Sequence, residues 1–228
     1  AVAAGRGAVV TNRPLTARTA FDRTRLEGDL PTGWEAEVYR NGELLVTATG
    51  RYNVALASNG ATASASSAHT CCGFSTWGAI NGNNRGPWGN GEGWNDATQG
   101  VVPDWIQVDF AGSKTIDEVS VFSLHDNYTA ANTPTETQTF SLYGLLGFDV
   151  QYWNGSSWVT IPNGSVTGNN KVWRKFTFSA VTTSKIRVYI NTVPDSWSRV
   201  VEIQAFGTSA GGEKVQWLVA DHLGTPRM

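Results

Sequence analysis

Hydrophobic and polar residues alternate along short segments of this chain, a period of two that indicates β-strands with one buried face. The segment WIQVDF (105–110) alternates in this way, and TIDEVSVFSL (115–124) is long enough to cross a sheet. Five more segments are of the same kind: FDVQYW (148–153), SSWVTI (156–161), VWRKFTF (172–178), KIRVYI (185–190) and VVEIQAF (200–206). No segment carries a sustained helical period, so the pattern predicts an all-β sandwich or barrel.

Two Asn-Gly pairs between apolar segments predict β-hairpins. Asn154-Gly155 separates two of the strands above, and Asn41-Gly42 lies inside a hairpin predicted at 34–48. Residues 1–20, rich in Ala, Thr and Arg, have no stable period and are predicted to be a tail or linker. The predicted organisation is therefore a tail and small N-terminal hairpin segment (1–50), a β-sandwich (51–207), and a linker with a C-terminal tail (208–228).

Composition narrows the class of partner. The 228 residues suffice for one full domain and part of another, and only 16% of them are charged, with a net charge of −2. A neutral polar and aromatic surface suits neutral ligands such as sugars. Nucleic acid is not expected as a partner. No apolar run reaches the roughly 18 residues of a membrane span. The chain begins without Met or a signal-peptide core, so we expect a segment of a longer polypeptide.

The two cysteines, Cys71 and Cys72, are neighbours. No pair separated by a folded loop exists, so no conventional disulfide is expected. The common interpretation is two free thiols in a loop, and the rarer ones are a strained vicinal disulfide or a bridge to another chain.

The segment AINGNNRGPWGNGEGWND (79–96) has the composition of a small binding loop. Glycines let the backbone turn its carbonyls toward one point, and Asn, Asp and Glu add the hard oxygens that calcium requires. The alternative is a dense hydrogen-bond network in which Asn81 and Asn83 cap turns with their amides. We interpret Trp88 and Trp94, together with Trp105, as core or loop anchors.

No catalytic residues are predicted. The chain has no recognisable nucleophile, zinc or phosphate-loop motif. Neighbouring carboxylates such as Asp117 and Glu118 point to opposite faces of a strand, so they cannot act together on one glycosidic bond. An enzyme is therefore not expected.

The middle of the chain resembles a discoidin domain, the coagulation-factor C-type fold that is also used by galactose-binding-like carbohydrate modules. The resemblance covers roughly 51–207 and is carried by the order of NVALASNGATASASS, AINGN, PDWIQVDF, KTIDEVSVFS, FDVQYWNGSSWVTI and RVVEIQAFG. It implies an eight-stranded jelly-roll sandwich with its ligand loops gathered at one end.

The resemblance also implies a structural calcium ion beneath those loops. Mapped onto this chain, its ligands are Ala79 (backbone), Asn81, Asn83 and Glu202. Asn81 stands where the family usually has Asp, so Glu202 is the one assured anionic ligand, with Asp96 or Asp104 as possible helpers. Fewer charged ligands imply weaker calcium binding.

Sugar binding is implied at the same end, where an aromatic face stacks on the ring and fixed polar groups bind hydroxyls. Three loops offer the ligand-binding residues, namely VPDSWSRV with Trp197 and Arg199, LHDNYT with His125, Asn127 and Tyr128, and SAHTCCGFSTW with His69, Phe74 and Trp77. A packing role for Trp197 and a structural role for His125 remain alternatives. The Arg that the family places after the long strand is replaced by HDNY, which leaves the identity of the sugar open.

The tail DHLGTPRM (221–228) resembles the core motif of Rhs/YD-repeat proteins, large secreted or surface β-shells of bacteria. Together the two resemblances imply a non-catalytic carbohydrate-binding or adhesion module, embedded in an extracellular or bacterial cell-surface protein, with a glycan or polysaccharide and the flanking Rhs shell as partners. The alternative is a structural protein–protein interaction insert of that shell. Binding to membrane lipid is ranked last, because the loops are polar and the net charge is −2.

Overall fold

The computed structural model describes residues 51–208 in full and, outside them, only the backbones of the strands that lie there. The chain divides into two compact units, one of Asn53–Ala210 and one of Ala1–Tyr52 with Gly211–Met228. The sequence instead predicted three consecutive segments, 1–50, 51–207 and 208–228. Among the described residues, no helix has the length and apolarity needed to cross a membrane.

The described elements are β-strands and two 3-10 turns. The strands are β1 (Val2–Ala4), β2 (Gly7–Val10), β3 (Ala17–Ala20), β4 (Arg23–Leu26), β5 (Glu35–Arg40), β6 (Glu43–Thr49), β7 (Tyr52–Asn53), β8 (Thr62–Ala65), β9 (Trp94–Asn95), β10 (Asp104–Ser123), β11 (Gly147–Trp153), β12 (Trp158–Val166), β13 (Trp173–Thr192), β14 (Arg199–Ser209), β15 (Val219–Ala220) and β16 (Pro226–Arg227). The 3-10 turns are Ala57–Asn59 and Thr76–Ala79. The predicted all-β class is confirmed.

The first fifty residues contain more strands than the sequence predicted. Strands β5 and β6 pair from Glu35 with Thr49 to Arg40 with Glu43, which confirms the hairpin around Asn41-Gly42, and they extend a four-stranded sheet in the order β1-β2-β5-β6. The prediction of a tail over 1–20 is wrong where β1, β2 and β3 lie. Strands of three or four residues built from Ala, Val, Thr and Arg are too short to show an alternating period. The type of the Asn41-Gly42 turn and most of the tail 208–228 lie outside the described residues.

The second unit is built on an eight-stranded antiparallel sheet, the predicted number of strands. Its order is β12-β11-β13-β10-β14-β7, with β8 paired to β10 and β9 paired to β14. Strands β10 and β13 are 20 residues each and change neighbours partway along, at register shifts between Asp109 and Lys114 and between Ile116 and Glu118. The first half of β10 pairs with β8 and its second half with β14. Bulges of this kind bend strands, which lets one sheet fold over into the two layers of a sandwich.

The core lies between these layers and follows the predicted alternation. On β10, Ile106 and Val108 are fully buried, whereas Trp105 and Gln107 point outward. The neighbouring strand β13 repeats the pattern with Ile186, Val188 and Ile190 at zero exposure. Each fully buried aliphatic side chain contributes about 1.5–3 kcal/mol relative to leaving it in water. This core is the scaffold on which the long connections between strands are held.

The hairpin predicted at Asn154-Gly155 is confirmed, with a longer loop than the sequence implied. Strands β11 and β12 close at the pair Trp153–Trp158, so four residues form the turn. The Asn154 side-chain oxygen accepts hydrogen bonds from the backbone N–H groups of Ser156 and Ser157, both at 2.9 Å. Asn is therefore used here as a side-chain cap of the turn.

Candidate functional site

Two long connections and one short loop meet at one end of the sandwich around a cavity of about 250 Å³. They are the segment between β8 and β10, the segment between β10 and β11, and the short loop between β13 and β14. Backbone hydrogen bonds join them, including Trp88 N–H to the Tyr128 carbonyl at 2.9 Å and Asp96 N–H to the Ser198 carbonyl at 3.0 Å. The lining residues are His69, Phe74, Trp88, Asn95, Leu124, Tyr128, Tyr143, Trp197 and Arg199. We call this the aromatic cavity.

The walls of the aromatic cavity are rings that contact one another. Phe74 is tilted against Trp88 with centroids 4.8 Å apart, and Tyr128 meets Tyr143 edge-to-face at 5.4 Å. His69 meets Trp197 edge-to-face at 5.6 Å. Such tilted contacts fix each ring and are favourable by roughly 0.5–1.5 kcal/mol beyond the area they bury. The rings therefore form a preformed apolar surface open to solvent.

The loop that carries Trp197 and Arg199 is held by two buried carboxylates that bracket Ser198. The Ser198 N–H donates to Asp96 Oδ1 at 2.7 Å, and its hydroxyl donates to Asp104 Oδ2 at 2.8 Å. Burial raises the pKa of Asp96, against the hydrogen bonds from Thr98 and Ser198. Both carboxylates are thus used to position the neighbours of Ser198, and the possible calcium-helper role of Asp96 and Asp104 finds no support in these contacts.

Arg199 is oriented by polar contacts on one side and left open on the other. Its Nε donates to Asn95 Oδ1 at 3.1 Å, its Nη1 donates to both oxygens of Asp195 at 2.8 Å, and the guanidinium carbon lies 5.4 Å from the Tyr143 ring centroid. Within residues 51–208, Nη2 is the guanidinium nitrogen without a hydrogen-bond partner. A fixed cation with one free NH₂ group is suited to donating hydrogen bonds to ligand hydroxyls.

His69 is held in one tautomer by its neighbours. Its backbone N–H donates to the Asn95 carbonyl at 2.9 Å, and its Nδ1 accepts from the Cys71 N–H at 3.2 Å. Because Nδ1 accepts, the proton of the neutral imidazole is on Nε2. His69 can therefore donate a second hydrogen bond into the aromatic cavity.

The adjacent thiols Cys71 and Cys72 are free and exposed, as the commoner interpretation predicted. A hydrogen bond between the two side chains raises the pKa of Cys71, which favours the protonated thiol. Neither thiol lines the aromatic cavity.

The structure brings five of the eight residues that the three loops offered to the aromatic cavity and leaves three outside. The five that line it are Trp197, Arg199, Tyr128, His69 and Phe74. His125, Asn127 and Trp77 are the three that do not line it.

Each of these three has a different environment. His125 is buried, its pKa is lowered by burial, and it lines a separate narrow cavity. Asn127 is exposed, and Trp77 is 57% exposed on the turn Thr76–Ala79. Their side chains are therefore placed apart from the group that could contact one ligand.

Sequence reasoning missed four of the lining residues: Trp88, Asn95, Leu124 and Tyr143. Trp88 was interpreted as a core or loop anchor, and it is half-buried and contributes to both cavities. Its position in a glycine-rich loop beside polar residues was the available signal. Asn95 and Tyr143 carry no pattern that separates them from other loop residues.

The four residues expected to bind calcium lie together in the structure. The Gly82 N–H donates to Glu202 Oε1 at 3.1 Å, which joins the Ala79–Asn83 loop to β14. Asn81 Oδ1 accepts from the Asn83 N–H at 2.7 Å, and Asn83 Oδ1 accepts from the Arg85 N–H at 3.0 Å. The turn-capping role left open for the two asparagines is therefore present in the structure.

Glu202 is fully buried, and its Oε2 has no hydrogen-bond partner. Burial, with a smaller contribution from the charge of Glu92, raises the pKa of Glu202 to about 9. No cluster of three or more His, Cys, Asp or Glu side chains that could hold a metal occurs among the residues described. A hard cation needs carbonyl and amide oxygens as well, and one orphaned buried carboxylate oxygen beside such a loop fits a calcium ligand.

Comparisons with known proteins agree with this architecture. Residues 78–188 match the model of a factor 5/8 type C family described as NedA-like, galactose-binding domain. The chain has no match among curated proteins.

Three solved structures resemble the fold. The lectin domain of lectinolysin, complexed with Lewis B antigen, has a TM-score of 0.51 at 20% identity, covering 69% of this chain and 97% of that one. Chitosan-binding module 1 of a chitosanase/glucanase from Paenibacillus sp. IK-5 has a TM-score of 0.50 at 22% identity, covering 68% of this chain and 98% of that one. A Streptococcus pneumoniae fucose binding module has a TM-score of 0.50 at 21% identity, covering 69% of this chain and 96% of that one. Over residues 78–188 the chain is similar to a galactose-binding-like domain of the factor 5/8 C type, and its sandwich has the fold of carbohydrate-binding modules and lectin domains.

Proposed function

We propose that this domain is a non-catalytic carbohydrate-binding module that holds a sugar in the aromatic cavity. The observation that carries the proposal is the grouping of five aromatic side chains, His69 and Arg199 around one open space. A volume of about 250 Å³ is just below the range of drug-sized pockets, which suits one sugar ring with its neighbours extending into solvent.

Binding combines stacking with a few directed hydrogen bonds. The C–H face of a pyranose is apolar and packs on an aromatic ring, for which Trp197 and Tyr128 are the accessible choices. Arg199 Nη2 and His69 Nε2–H supply donors to hydroxyl oxygens, and the hydroxyls of Tyr128 and Tyr143 can donate or accept. Because the rings and the guanidinium are already fixed by protein contacts, little side-chain entropy is lost when the sugar binds.

The ligands of the similar domains support a sugar without selecting one. Three proteins of this fold are a chitosan-binding module, a fucose binding module and a lectin domain complexed with Lewis B antigen, and the matching family is described as galactose-binding. The HDNY sequence after β10 differs from the family pattern for galactose, so we leave the glycan or polysaccharide unspecified.

Calcium is proposed as a structural ion, held by the Ala79 carbonyl, Asn81, Asn83 and Glu202. The unpartnered Glu202 Oε2 is the support for this site. The ion would supply positive charge that stabilises the ionised form of this buried carboxylate, and it would take no part in a reaction. It belongs to the scaffold of the loop end.

The proposal is tested by a glycan-array screen of the full chain, run in calcium and again in EDTA, with Trp197→Ala as the matched control. We expect a hit that the control loses while its near-ultraviolet circular dichroism stays that of the wild type. A folded wild-type chain that binds nothing on the array would reject the sugar proposal.

The setting we propose is an extracellular or surface-attached bacterial Rhs-type protein, on the strength of the tail DHLGTPRM. One weak sugar site per module would give useful adhesion through multivalency. The same tail favours a second candidate function, a structural insert whose aromatic cavity contacts a flanking Rhs shell. A chain that binds no glycan on the array but binds a purified Rhs shell through the aromatic cavity would favour that role.

A further inference from the structure

A second carboxylate lies beside the proposed calcium loop, outside the set that the family pattern supplies. Glu92 Oε2 accepts a hydrogen bond from Asn81 Nδ2 at 3.0 Å, while Glu202 Oε1 accepts from the next residue along, Gly82 N–H, at 3.1 Å. Two carboxylates thus contact successive residues of the loop. Both are close enough for the charge of Glu92 to act on Glu202.

The charge of the family-pattern ligands is low for a divalent ion. Asn81 stands at the position of the usual Asp, so Glu202 is the single anion among the four ligands. Calcium affinity in proteins is set largely by the number of charged oxygens and the rigidity of the site. The buried Glu202 Oε2 has no partner of its own, which is an independent indication that a cation belongs here.

We propose that Glu92 is the second anionic ligand of this calcium site and supplies, from the turn that follows the loop, the negative charge that Asn81 lacks. The inference rests on the calcium site proposed above, and it extends that site to a segment that also forms the sugar cavity.

The position of Glu92 connects the calcium site to Trp88, which lines the aromatic cavity. Glu92 N–H donates to the Gly89 carbonyl at 3.2 Å, and the Gly93 N–H donates to the Gly78 carbonyl at 3.1 Å, at the end of the turn that leads into the calcium loop. A β-carbon on Gly78 would lie 2.6 Å from the Gly93 carbonyl oxygen. The two backbones are therefore packed too closely to move separately.

On its other side, Gly93 supports the indole of Trp88. A β-carbon on Gly93 would overlap the benzo ring of Trp88, so the ring rests directly on the glycine backbone. Trp88 in turn packs on Phe74 in the aromatic cavity. A calcium ion bound to Glu92 therefore holds the segment 88–93 at both of its faces and fixes one wall of the sugar site.

The test is a calcium titration of the full chain by isothermal calorimetry and thermal melting, with calcium alone as the probe. Glu92→Gln should weaken calcium binding by roughly tenfold or more, because the site loses one of two charges. The double variant Asn81→Asp with Glu92→Gln exchanges the two groups: position 81 carries the carboxylate, and the amide at position 92 donates the hydrogen bond to it. Because the site then has two charges again, this variant should recover most of the calcium affinity. Glu136→Gln, an exposed carboxylate paired with Lys175, is the matched control and should bind like the wild type.

Two results would overturn the inference. One is a Glu92→Gln chain that binds calcium within about twofold of the wild type while Glu202→Gln does not bind. The other is a folded wild-type chain with no calcium heat and no calcium-dependent melt. Either result leaves the sugar proposal standing if glycan-array hits persist in EDTA, so the two failures are distinguishable.

The link to Trp88 has its own readout in hydrogen–deuterium exchange. The backbone amides of 88, 90, 92 and 93 are all hydrogen-bonded and report opening of this segment. Calcium should slow their exchange in the wild type and in the Asn81→Asp/Glu92→Gln chain, but not in Glu92→Gln. Equal slowing in Glu92→Gln would contradict the coupling.

Discussion

Two regions of this domain are rich in aromatic residues, and they differ in what covers the rings. One is the aromatic cavity at the loop end. The other, which we call the outer-face cluster, consists of Trp153, Trp158, Lys185, Arg187 and Tyr189 on β11, β12 and β13. Composition alone does not separate them, because both combine indoles, a tyrosine and an arginine.

In the outer-face cluster the chain's own cations occupy the ring faces. Lys185 Nζ lies 4.9 Å from the centroid of Trp153, and the Arg187 guanidinium lies 4.4 Å from that of Trp158 and 4.9 Å from that of Tyr189. In the aromatic cavity a cation, Arg199, lies near one ring, that of Tyr143, and the rings otherwise contact one another by edges and tilts around an open space. Rings whose faces are already covered stabilise the sheet, and rings around a cavity are available to a ligand.

A matched pair of tryptophan substitutions gives the largest expected difference between the two regions. Trp197→Ala should weaken glycan binding by roughly ten- to a hundredfold, because about 1.5–3 kcal/mol of apolar contact is lost. Trp158→Ala should leave glycan affinity unchanged and lower the melting temperature instead. Calorimetry with the array-selected glycan and a melt of each variant measure both; a Trp158→Ala chain that loses affinity would show that the two regions act alike.

The two arginines give the next largest effect. Arg199→Gln removes a charged donor from the cavity and should cost roughly tenfold in glycan affinity. Arg187→Gln removes a cation from the two ring faces it covers and should cost about 0.5–1 kcal/mol of folding stability with no change in affinity. Affinity is read by calorimetry and stability by urea denaturation. Equal effects of the two substitutions on affinity would refute the distinction.

Calcium should act on the loop end. For a site of about 0.1 mM in about 1 mM calcium, binding stabilises the fold by about 1.4 kcal/mol. EDTA should then lower the melting temperature by about 3–5 °C and raise hydrogen exchange in 79–93. Exchange on β11 and β12 should not change. Equal melting temperatures in EDTA and in calcium would contradict calcium binding at the loop end.

The folding stability of the chain in EDTA should depend gradually on pH. Burial and then the charge of Glu92 raise the pKa of Glu202 from 4.5 to about 9, so the folded state holds this proton more tightly than the unfolded state. The contribution of Glu202 to the free energy of unfolding is therefore largest below pH 4.5 and falls as pH rises toward 9, by at most about 1.4 kcal/mol per pH unit.

Urea denaturation in EDTA between pH 5 and 9 measures this slope. Glu202→Gln is the control, because an amide does not titrate and should give a flatter dependence. Parallel slopes for the two chains would show that the buried carboxyl is not the source.

The fold was predictable because its core strands alternate cleanly. All seven apolar segments of the sandwich are in strands, but four of them merge in pairs into β10 and β13. The polar residues at the bulges, such as Gly112 and Ser113, read as turns in the sequence although the backbone continues as strand. The two-residue strands β7 and β9 carry too few side chains to show any period.

The site was predictable only in part, because it is assembled from loops. Trp197 and Arg199 came from the resemblance and line the cavity, whereas His125, two residues after the end of β10, is buried and faces another space. Nothing local in LHDNYT tells which of its side chains turns inward. Asn95 and Tyr143 both contact Arg199, which lies about 50 to 100 positions further along the chain, and no local pattern shows such contacts.

The clamp on Ser198 has a consequence for engineering this domain. Asp96 and Asp104 hold the loop at Ser198, whereas the neighbours of Ser198 on either side, Trp197 and Arg199, carry the side chains that face the cavity. A library that randomises 195, 197 and 199 but retains Ser198, Asp96 and Asp104 would therefore vary the ligand-facing surface on a constant support. Glycan preference in such a scaffold becomes an exchangeable property, separable from foldability.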